Sequence, residues 1–318
     1  MAHDHAHGGA HGGAHAGHHH GPSRETERGA LKQALALIVA FMVAELAVGV
    51  LASSLALLSD AAHMLTDAVA LAVSLVAVRL AARPAGGTMT YGLGRAEILS
   101  AQANGVTLLV LSVVIVVDAL RRLVSPPHVD GLPMLIVALA GIPVSVAAAA
   151  VLARGSGPNR SLNLEGSYRH IVTDLYGFAA TAIAAGVILA TGFDRADPIA
   201  SLIIAAILLR AAYGLLKASG RVFMEAAPAG IDPELIGRTL AAQPGVVEVH
   251  DLHVWEVTSG FPALSAHVVV RAGDDCHERR RTLQRLVGGS FGITHTTLQV
   301  DHEAAPQPPL QIELPRPL

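Results

Sequence analysis

The 318-residue chain has few charged residues and almost no cysteine, and each scarcity narrows the class of protein. Only 15% of its residues are Asp, Glu, Lys or Arg, and the formal net charge is −3. This balance provides no basic surface for nucleic acid as a partner. The single cysteine, Cys276, excludes an intramolecular disulfide. The first twenty residues contain no apolar core, so we expect no secretory signal peptide.

Long apolar runs separate the few charges. Six of them approach or exceed the ~20 residues that a helix needs to cross a bilayer. They cover residues 31–52, 55–81, 98–124, 132–153, 170–191 and 199–216. A soluble helical bundle would show polar faces repeating every 3.6 residues, which these runs mostly lack. The sequence therefore predicts an α-helical membrane protein with six transmembrane helices in a lipid bilayer.

The Lys and Arg residues between these runs predict how the chain is oriented, because cytoplasmic loops carry an excess of them. With the N-terminus inside, the cytoplasmic side receives Arg24, Arg28, Lys32, Arg79, Arg83, Arg95, Arg154, Arg160, Arg169, Lys217 and Arg221. The opposite side receives Arg121, Arg122 and Arg195. We therefore expect both termini in the cytoplasm, with a bacterial inner membrane as the simplest location.

Composition divides the chain into four parts. Residues 1–23 hold eight histidines among Gly and Ala, and residues 304–318 are rich in Pro, so we expect both tails to be disordered. Residues 24–217 form the predicted transmembrane domain. Residues 218–303 show helix, strand, strand, helix and strand patterns at 232–243, 246–257, 263–270, 275–287 and 293–301. This αββαβ order predicts a small cytoplasmic α+β domain of ferredoxin-like type.

Two of the apolar runs contain the same ionisable pair. His63 and Asp67 lie in the second run, and His170 and Asp174 lie in the fifth. In each pair a spacing of four residues places both side chains on one helix face. An ionisable group inside a bilayer costs about 2.5–3.5 kcal/mol, so it is retained when something pairs with it. One pair alone would also fit an interhelical hydrogen bond, whereas two copies indicate a shared metal site.

The types of side chain restrict the metal. Two imidazole nitrogens and two carboxylate oxygens suit a tetrahedral Zn²⁺ ion. The absence of thiolates argues against Cu(I), and the imidazoles argue against Mg²⁺ and Ca²⁺. Co²⁺, Cd²⁺, Ni²⁺ and Fe²⁺ remain open. We interpret Glu45 and Asn104, two further polar residues of the apolar runs, as packing or cavity-lining groups rather than ligands.

Four motifs together resemble the cation diffusion facilitator family, in its zinc-transporting branch. They are the segment 54–67, the run from Tyr91 to Glu97, the His170/Asp174 pair, and the segment 250–255 with sequence His-Asp-Leu-His-Val-Trp. The resemblance implies six transmembrane helices, a Y-shaped homodimer and a cytoplasmic metallochaperone-like domain. It also implies metal/proton antiport, with His63, Asp67, His170 and Asp174 as the transport ligands. In this family, His at the first ligand position is associated with zinc preference.

The resemblance also implies regulatory or dimer-bridging metal ligands in the C-terminal domain. By family position these are His250, His267 and Asp301. Gln299 stands where some members have a histidine, so the sequence departs from the family pattern at that position. His277 and His295 are plausible substitutes for it. Zn²⁺ is thus expected both as the transported substrate and as a regulatory ligand, with H⁺ as the coupling ion.

The expected function is export of Zn²⁺, or of a similar divalent ion, by proton-coupled antiport with alternating access. A metal-gated channel and a membrane-bound metal sensor or storage protein are the alternatives. The sequence has no His-Glu-x-x-His motif and no Ser or Cys with a clear base, so we expect no enzyme activity.

The histidine-rich tail has two open interpretations. It gathers Zn²⁺ near the site, or it is a nonessential polar segment. Deleting residues 1–23 separates them, because only a metal-gathering tail would make the deletion lower zinc flux at low zinc and leave flux at high zinc unchanged.

Overall fold

A computed structural model describes residues 24–51, 55–127, 129–155 and 160–303. The side chains of residues 49, 55–60, 62 and 63 are not described. The two predicted disordered tails, residues 1–23 and 304–318, lie outside the described residues.

Six long helices form the first part of the chain, as predicted. They are α1 (Arg24–Leu51), α2 (Leu55–Ala81), α3 (Ala96–Val124), α4 (Gly131–Arg154), α5 (Leu162–Thr191) and α6 (Ala196–Phe223). Each contains a stretch long and apolar enough to cross a membrane. Large apolar side chains such as Val43, Val113 and Ile183 are more than half exposed. Water would penalise such a surface, whereas lipid accepts it, so the chain is an integral membrane protein.

The fifth helix corrects one detail of the prediction. The apolar run placed His170 near the start of its span, but α5 begins eight residues earlier, at Leu162. Ser161 caps it, because its hydroxyl accepts a hydrogen bond from the backbone N–H of Leu164 at 3.1 Å. The first two turns carry Glu165 and Arg169, which form an ion pair of 2.6 Å and interrupt the apolar pattern. His170 therefore lies about two turns inside the helix.

The six helices pack as a ring of four and an attached pair. Helices α1, α2, α5 and α4 contact one another in that circular order, and the α3–α6 pair packs against α5 and α2. Small residues permit the closest approaches. A Cβ atom on Gly141 of α4 would come within 2.5 Å of the Phe178 ring on α5, and one on Gly105 of α3 would meet Leu216 of α6 at 2.9 Å. Close backbone approach of this kind is typical of helix packing in membranes.

The C-terminal part has the predicted αββαβ order. Its elements are α7 (Pro233–Ala241), β1 (Val246–Thr258), β2 (Phe261–Val270), α8 (Cys276–Phe291) and β3 (His295–His302). The sheet order is β1-β2-β3, with β1–β2 antiparallel and β2–β3 parallel. Ile236 and Leu240 of α7 and Leu283 and Val287 of α8 form one buried core with residues of the sheet, including Leu264. Asp232 caps α7, because its side chain accepts a hydrogen bond from the backbone N–H of Glu234 at 2.9 Å.

The turn between β1 and β2 joins the domain to the helical bundle. The Thr258 hydroxyl donates to the carbonyl oxygen of Gly94, in the loop before α3, at 2.9 Å. The Ser259 hydroxyl accepts from the backbone N–H of Leu162, the first residue of α5, at 3.1 Å. One turn of the domain is thus hydrogen-bonded to the starts of two transmembrane helices.

A buried carboxylate ties α1 to the start of α5. Glu27 is 1% exposed and accepts two hydrogen bonds from Ser161, from the backbone N–H at 3.1 Å and from the hydroxyl at 2.8 Å. Ser161 therefore caps α5 and also donates the two hydrogen bonds that the buried Glu27 carboxylate accepts. Nearby, the guanidinium of Arg24 donates to Glu97 of α3 at 3.0 Å.

We predict that Ser161→Ala lowers the free energy of unfolding by about 1–2 kcal/mol, because it removes a helix cap and one bond to a buried carboxylate. Thermal unfolding in detergent measures the change. Ser201→Ala is the matched control, since that hydroxyl bonds to the Asp197 carbonyl of its own helix. Equal effects of the two substitutions would contradict the role of Ser161.

Candidate metal centre

Helices α2 and α5 bring three of the four predicted transport ligands together. Asp67 lies on α2, and His170 and Asp174 lie one turn apart on α5. His170 Nε2 lies 2.8 Å from Asp67 Oδ1 and 3.9 Å from Asp174 Oδ2. One ligand atom from each of the three residues lies within 4.8 Å of the others. This is the convergence of two helix faces that the repeated motif predicted.

The group is deeply buried and has the chemistry of a cation site. Asp67 is 3% exposed and His170 is 4% exposed. His170 Nδ1 has no hydrogen-bond partner among the described residues. The 2.8 Å contact between Asp67 and His170 is a hydrogen bond, so a proton lies between two atoms that are both predicted metal ligands. A Zn²⁺ ion bound at ~2.0–2.2 Å to both atoms would have to displace that proton.

The fourth predicted ligand, His63, lies on α2 one turn before Asp67. Its side chain is outside the described residues, so its participation remains a prediction.

A second group with metal-ligand chemistry lies on the open face of the C-terminal sheet. His250 of β1 and His267 of β2 are directly paired across the two strands. Their rings meet edge to face with centroids 5.3 Å apart. Asp251 completes the group, with Oδ2 at 3.7 Å from His267 Nδ1. All three lie on the surface, so an ion from solution could reach them.

The sequence reasoning did not select Asp251 as a ligand, and the backbone explains why. Successive side chains of a strand point to opposite faces, which would separate Asp251 from His250. The β1–β2 register shifts between His250 and His253, and Asp251 has a positive φ of 49°. A strand irregularity of this kind changes the direction in which a side chain points. Asp adopts a positive φ more readily than most residues do. The only sign of this role in the sequence is that Asp251 lies between His250 and His253.

The remaining predicted residues of this domain lie apart from that group. Gln299 of β3 pairs with His267 in the same cross-strand row, but its amide donates to Asp301 Oδ2 at 2.8 Å. His295 instead packs edge to face against Tyr91 and Phe261. His277 lies in the first turn of α8. The structure therefore assembles His250, His267 and Asp251, and it does not bring Asp301, His277 or His295 to them.

Two carboxyl groups outside the membrane have shifted pKa values. The backbone N–H groups of Glu278 and His277 hold the pKa of Asp275 below its usual range, since they bind the charged form at the start of α8. Burial raises the pKa of Glu256, which lies beside the β1–β2 turn and accepts a hydrogen bond from Gly260 N–H at 2.7 Å. Neither carboxyl belongs to the two metal-ligand groups.

Six membrane-spanning helices around a buried His/Asp group define a membrane protein of the cation-transporting class. Two family models match the chain: "Cation efflux transmembrane domain" over residues 31–224, and "Cation efflux protein, cytoplasmic domain" over residues 228–303. The chain belongs to the cation efflux family, and the resemblance to cation diffusion facilitators is thereby confirmed. This is a family of transporters, so the prediction that the chain is not an enzyme is also confirmed.

Three relatives illustrate the similarity. The "Cadmium, cobalt and zinc/H(+)-K(+) antiporter" of Bacillus velezensis is 39% identical over 82% of this chain and 84% of its own length. "Metal cation efflux system protein CzcD" of Cupriavidus metallidurans is 39% identical over 81% of this chain and 82% of its own. "Zinc transporter ZitB" of Escherichia coli is 36% identical, with 82% and 83% covered.

We predict that Asp251→Asn weakens Zn²⁺ binding at the sheet group about tenfold or more, because it removes a charged ligand. Asn is chosen because it also tolerates a positive φ, so the backbone can persist. Zinc titration of the detergent-solubilised full chain, by calorimetry, measures the affinity. Glu234→Gln, which neutralises an exposed carboxylate on α7, is the control. An unchanged affinity in Asp251→Asn would exclude Asp251 from the coordination.

Proposed function

We propose that this protein exports Zn²⁺ from the cytoplasm in exchange for protons, through the site formed by Asp67, His170 and Asp174. The observation that carries the proposal is the convergence of these three side chains between two membrane-spanning helices. Borderline nitrogen ligands with carboxylates suit Zn²⁺ and leave Co²⁺, Cd²⁺, Ni²⁺ and Fe²⁺ as further substrates. The names of the relatives, which include zinc, cobalt and cadmium, support this range.

His63 is the proposed fourth ligand. It precedes Asp67 by four residues on α2, a spacing that places the two positions on one helix face. His170 and Asp174 repeat this spacing on α5. Two ligands from each helix make a tetrahedral set that can be opened by moving α2 and α5 relative to each other. Such a movement around a fixed site is the basis of alternating access.

The coupling to protons follows from the contact between His170 and Asp67. In this structure the two atoms share a proton at 2.8 Å. Metal binding requires the imidazole and carboxylate lone pairs to be free, so the ion and the proton compete for the same atoms. Metal can therefore leave as protons arrive, and protons return the empty carrier.

The orientation rests on the loop charges and on the relatives. The loops at the end of the bundle that contacts the C-terminal domain carry most of the Lys and Arg residues, which indicates the cytoplasmic side. Both termini are then cytoplasmic, in a bacterial inner membrane, and the direction of transport is efflux, in line with the name of CzcD. The matching model of the C-terminal domain is one of dimerisation, which supports a homodimer.

The group of His250, Asp251 and His267 is proposed as a regulatory Zn²⁺ site. It lies on β1 and β2, and the turn between these strands bonds to Leu162 at the start of α5. The transport residues His170 and Asp174 lie on that same helix. A metal-induced change in the sheet could thus bias the position of α5, which is the physical requirement for coupling between two sites.

We predict that Asp67→Ala and Asp174→Ala each reduce zinc flux into proteoliposomes to background while the protein still inserts. Each substitution removes one anionic ligand from a site with few alternatives. Asp118→Ala is the control, since Asp118 lies on α3 and pairs with Arg122 on the same helix. Undiminished flux in either ligand variant would refute the site.

Proton exchange distinguishes this proposal from a metal-gated channel. We expect collapse of an imposed pH gradient to stop zinc accumulation against its concentration gradient, because the exchange cycle needs protons for its return step. Zinc flux and internal pH recorded together in proteoliposomes provide the measurement. Zinc flux that is unaffected by the pH gradient would favour the channel. A storage or sensor protein would bind zinc without any flux.

A further inference from the structure

Five neutral polar side chains form a buried cluster between α2, α3 and α5. They are Ser74 on α2, Ser100 and Asn104 on α3, and Asn163 and Ser167 on α5, and none is more than 3% exposed. We call this group the serine–asparagine cluster. An apolar interface would pack the same helices without the cost of burying so many polar groups. The cluster therefore needs an explanation beyond packing.

Ser74 is the centre of the cluster. Its hydroxyl lies 2.9 Å from the Ser167 hydroxyl, 3.3 Å from Asn104 Nδ2 and 3.4 Å from the Ser100 hydroxyl. Its carbonyl oxygen accepts from Asn163 Nδ2 at 2.9 Å. Hydrogen bonds between membrane helices contribute only about 0.6 kcal/mol each on average. Each of these hydrogen bonds is therefore weak enough to be exchanged for a bond to water.

One atom of the cluster is left for a ligand. Asn163 is fully buried, and its Oδ1 atom has no hydrogen-bond partner among the described residues. A buried amide oxygen without a partner is costly unless water or an ion binds it. The atom is therefore an available oxygen ligand inside the bundle.

The cluster lies directly between the metal centre and the end of the bundle that contacts the C-terminal domain. Ser74 follows Asp67 by seven residues on α2, and Asn163 precedes His170 by seven on the antiparallel α5. At 1.5 Å per residue, both lie about 10 Å from the metal centre toward that end. The contacts of Ser74 with Ser167 and Asn163 confirm that the two helices place them at one level.

Carboxylates and open space lie on the outer side of the cluster. Glu97 precedes Ser100 by three residues on α3, and Glu27 is bonded to Ser161, two residues before Asn163. A cavity of about 390 Å³ reaches Glu97 from the junction with the C-terminal domain. Arg24, which donates to Glu97 at 3.0 Å, and Arg83 also line this cavity, so the opening is polar and balanced in charge. Polar groups thus continue from this opening through the cluster to Asp67 and His170.

We propose that the serine–asparagine cluster is a polar gate, through which a divalent cation with part of its hydration shell passes between the cytoplasmic opening and the metal centre. Neutral oxygens suit this task, because a passage must hold the ion weakly enough to release it. The gate is closed in this structure by the bonds of Ser74, and it opens and hydrates when α2 and α5 separate. The proposal rests on the proposed transport function and adds positioning residues to it.

Two substitutions of Asn163 test the gate. Both Asn163→Asp and Asn163→Leu remove the Nδ2 donor to Ser74, but only Asp keeps an oxygen at the Oδ1 position. A carboxylate is also favourable near the start of a helix. We expect Asn163→Leu to lower kcat for zinc transport about tenfold, with an unchanged equilibrium zinc affinity. Asn163→Asp should retain flux within about threefold of the parent protein.

The measurements are initial zinc flux in proteoliposomes as a function of zinc concentration, zinc affinity by calorimetry, and thermal unfolding. Equal loss of flux in both variants, or no loss in either, would overturn the gate. Ser112→Ala is the control, since Ser112 is a fully buried serine of α3 whose hydroxyl bonds to its own helix at Leu109.

A second pair of variants applies if Asn163→Leu does not fold. Ser167→Thr and Ser167→Val have nearly the same shape and differ by one hydroxyl. The gate requires flux to be higher in the Thr variant at equal zinc affinity, and equal flux would overturn it. The outcome is separable from the transport proposal, because Asp67→Ala abolishes flux and zinc binding at the transport site whether or not the gate exists.

Discussion

The hydrogen bond between His170 on α5 and Asp67 on α2 is the interaction on which the rest of the structure depends. It joins two helices inside an apolar bundle, where ionisable side chains are costly unless they pair. The same two atoms are the proposed ligands of the transported metal ion. In that proposal the hydrogen bond and the bound ion replace each other, so metal binding changes the contact that joins α2 to α5.

The surroundings of this contact make such a change possible. On the side of the C-terminal domain, α2 and α5 meet through hydroxyl and amide groups around Ser74, beside an apolar cluster that includes Leu75, Val78 and Leu164. The same end of α5 is capped by Ser161, which also binds Glu27 of α1, and its first backbone N–H is held by Ser259 of the domain. Helix α5 thus receives contacts from the metal centre, from α1 and from the β1–β2 turn.

The C-terminal sheet shows how a local irregularity creates a ligand group. The pairing of His250 with His267 follows from the register of two antiparallel strands. Asp251 joins them because the strand is irregular at that point and its backbone adopts a positive φ. Gln299, which lies in the same cross-strand row, bonds to Asp301 instead. The three strands therefore place His250, His267 and Gln299 in one row on the open face. The local backbone conformation at Asp251 then determines which carboxylate joins the histidines.

The sequence by itself determined the six spans, the αββαβ domain and the two His-x-x-x-Asp faces, because hydrophobic length, period and spacing are local properties. It misplaced the start of α5, since the Glu165–Arg169 pair interrupts the apolar pattern although it is compatible with a helix. Only the tertiary structure decided that Asp67, His170 and Asp174 meet, that Asp251 turns toward His267, and that Ser74 gathers partners from two other helices. These facts depend on which helix faces and strand edges pack together, and packing between distant segments is not encoded in the spacing of any one of them.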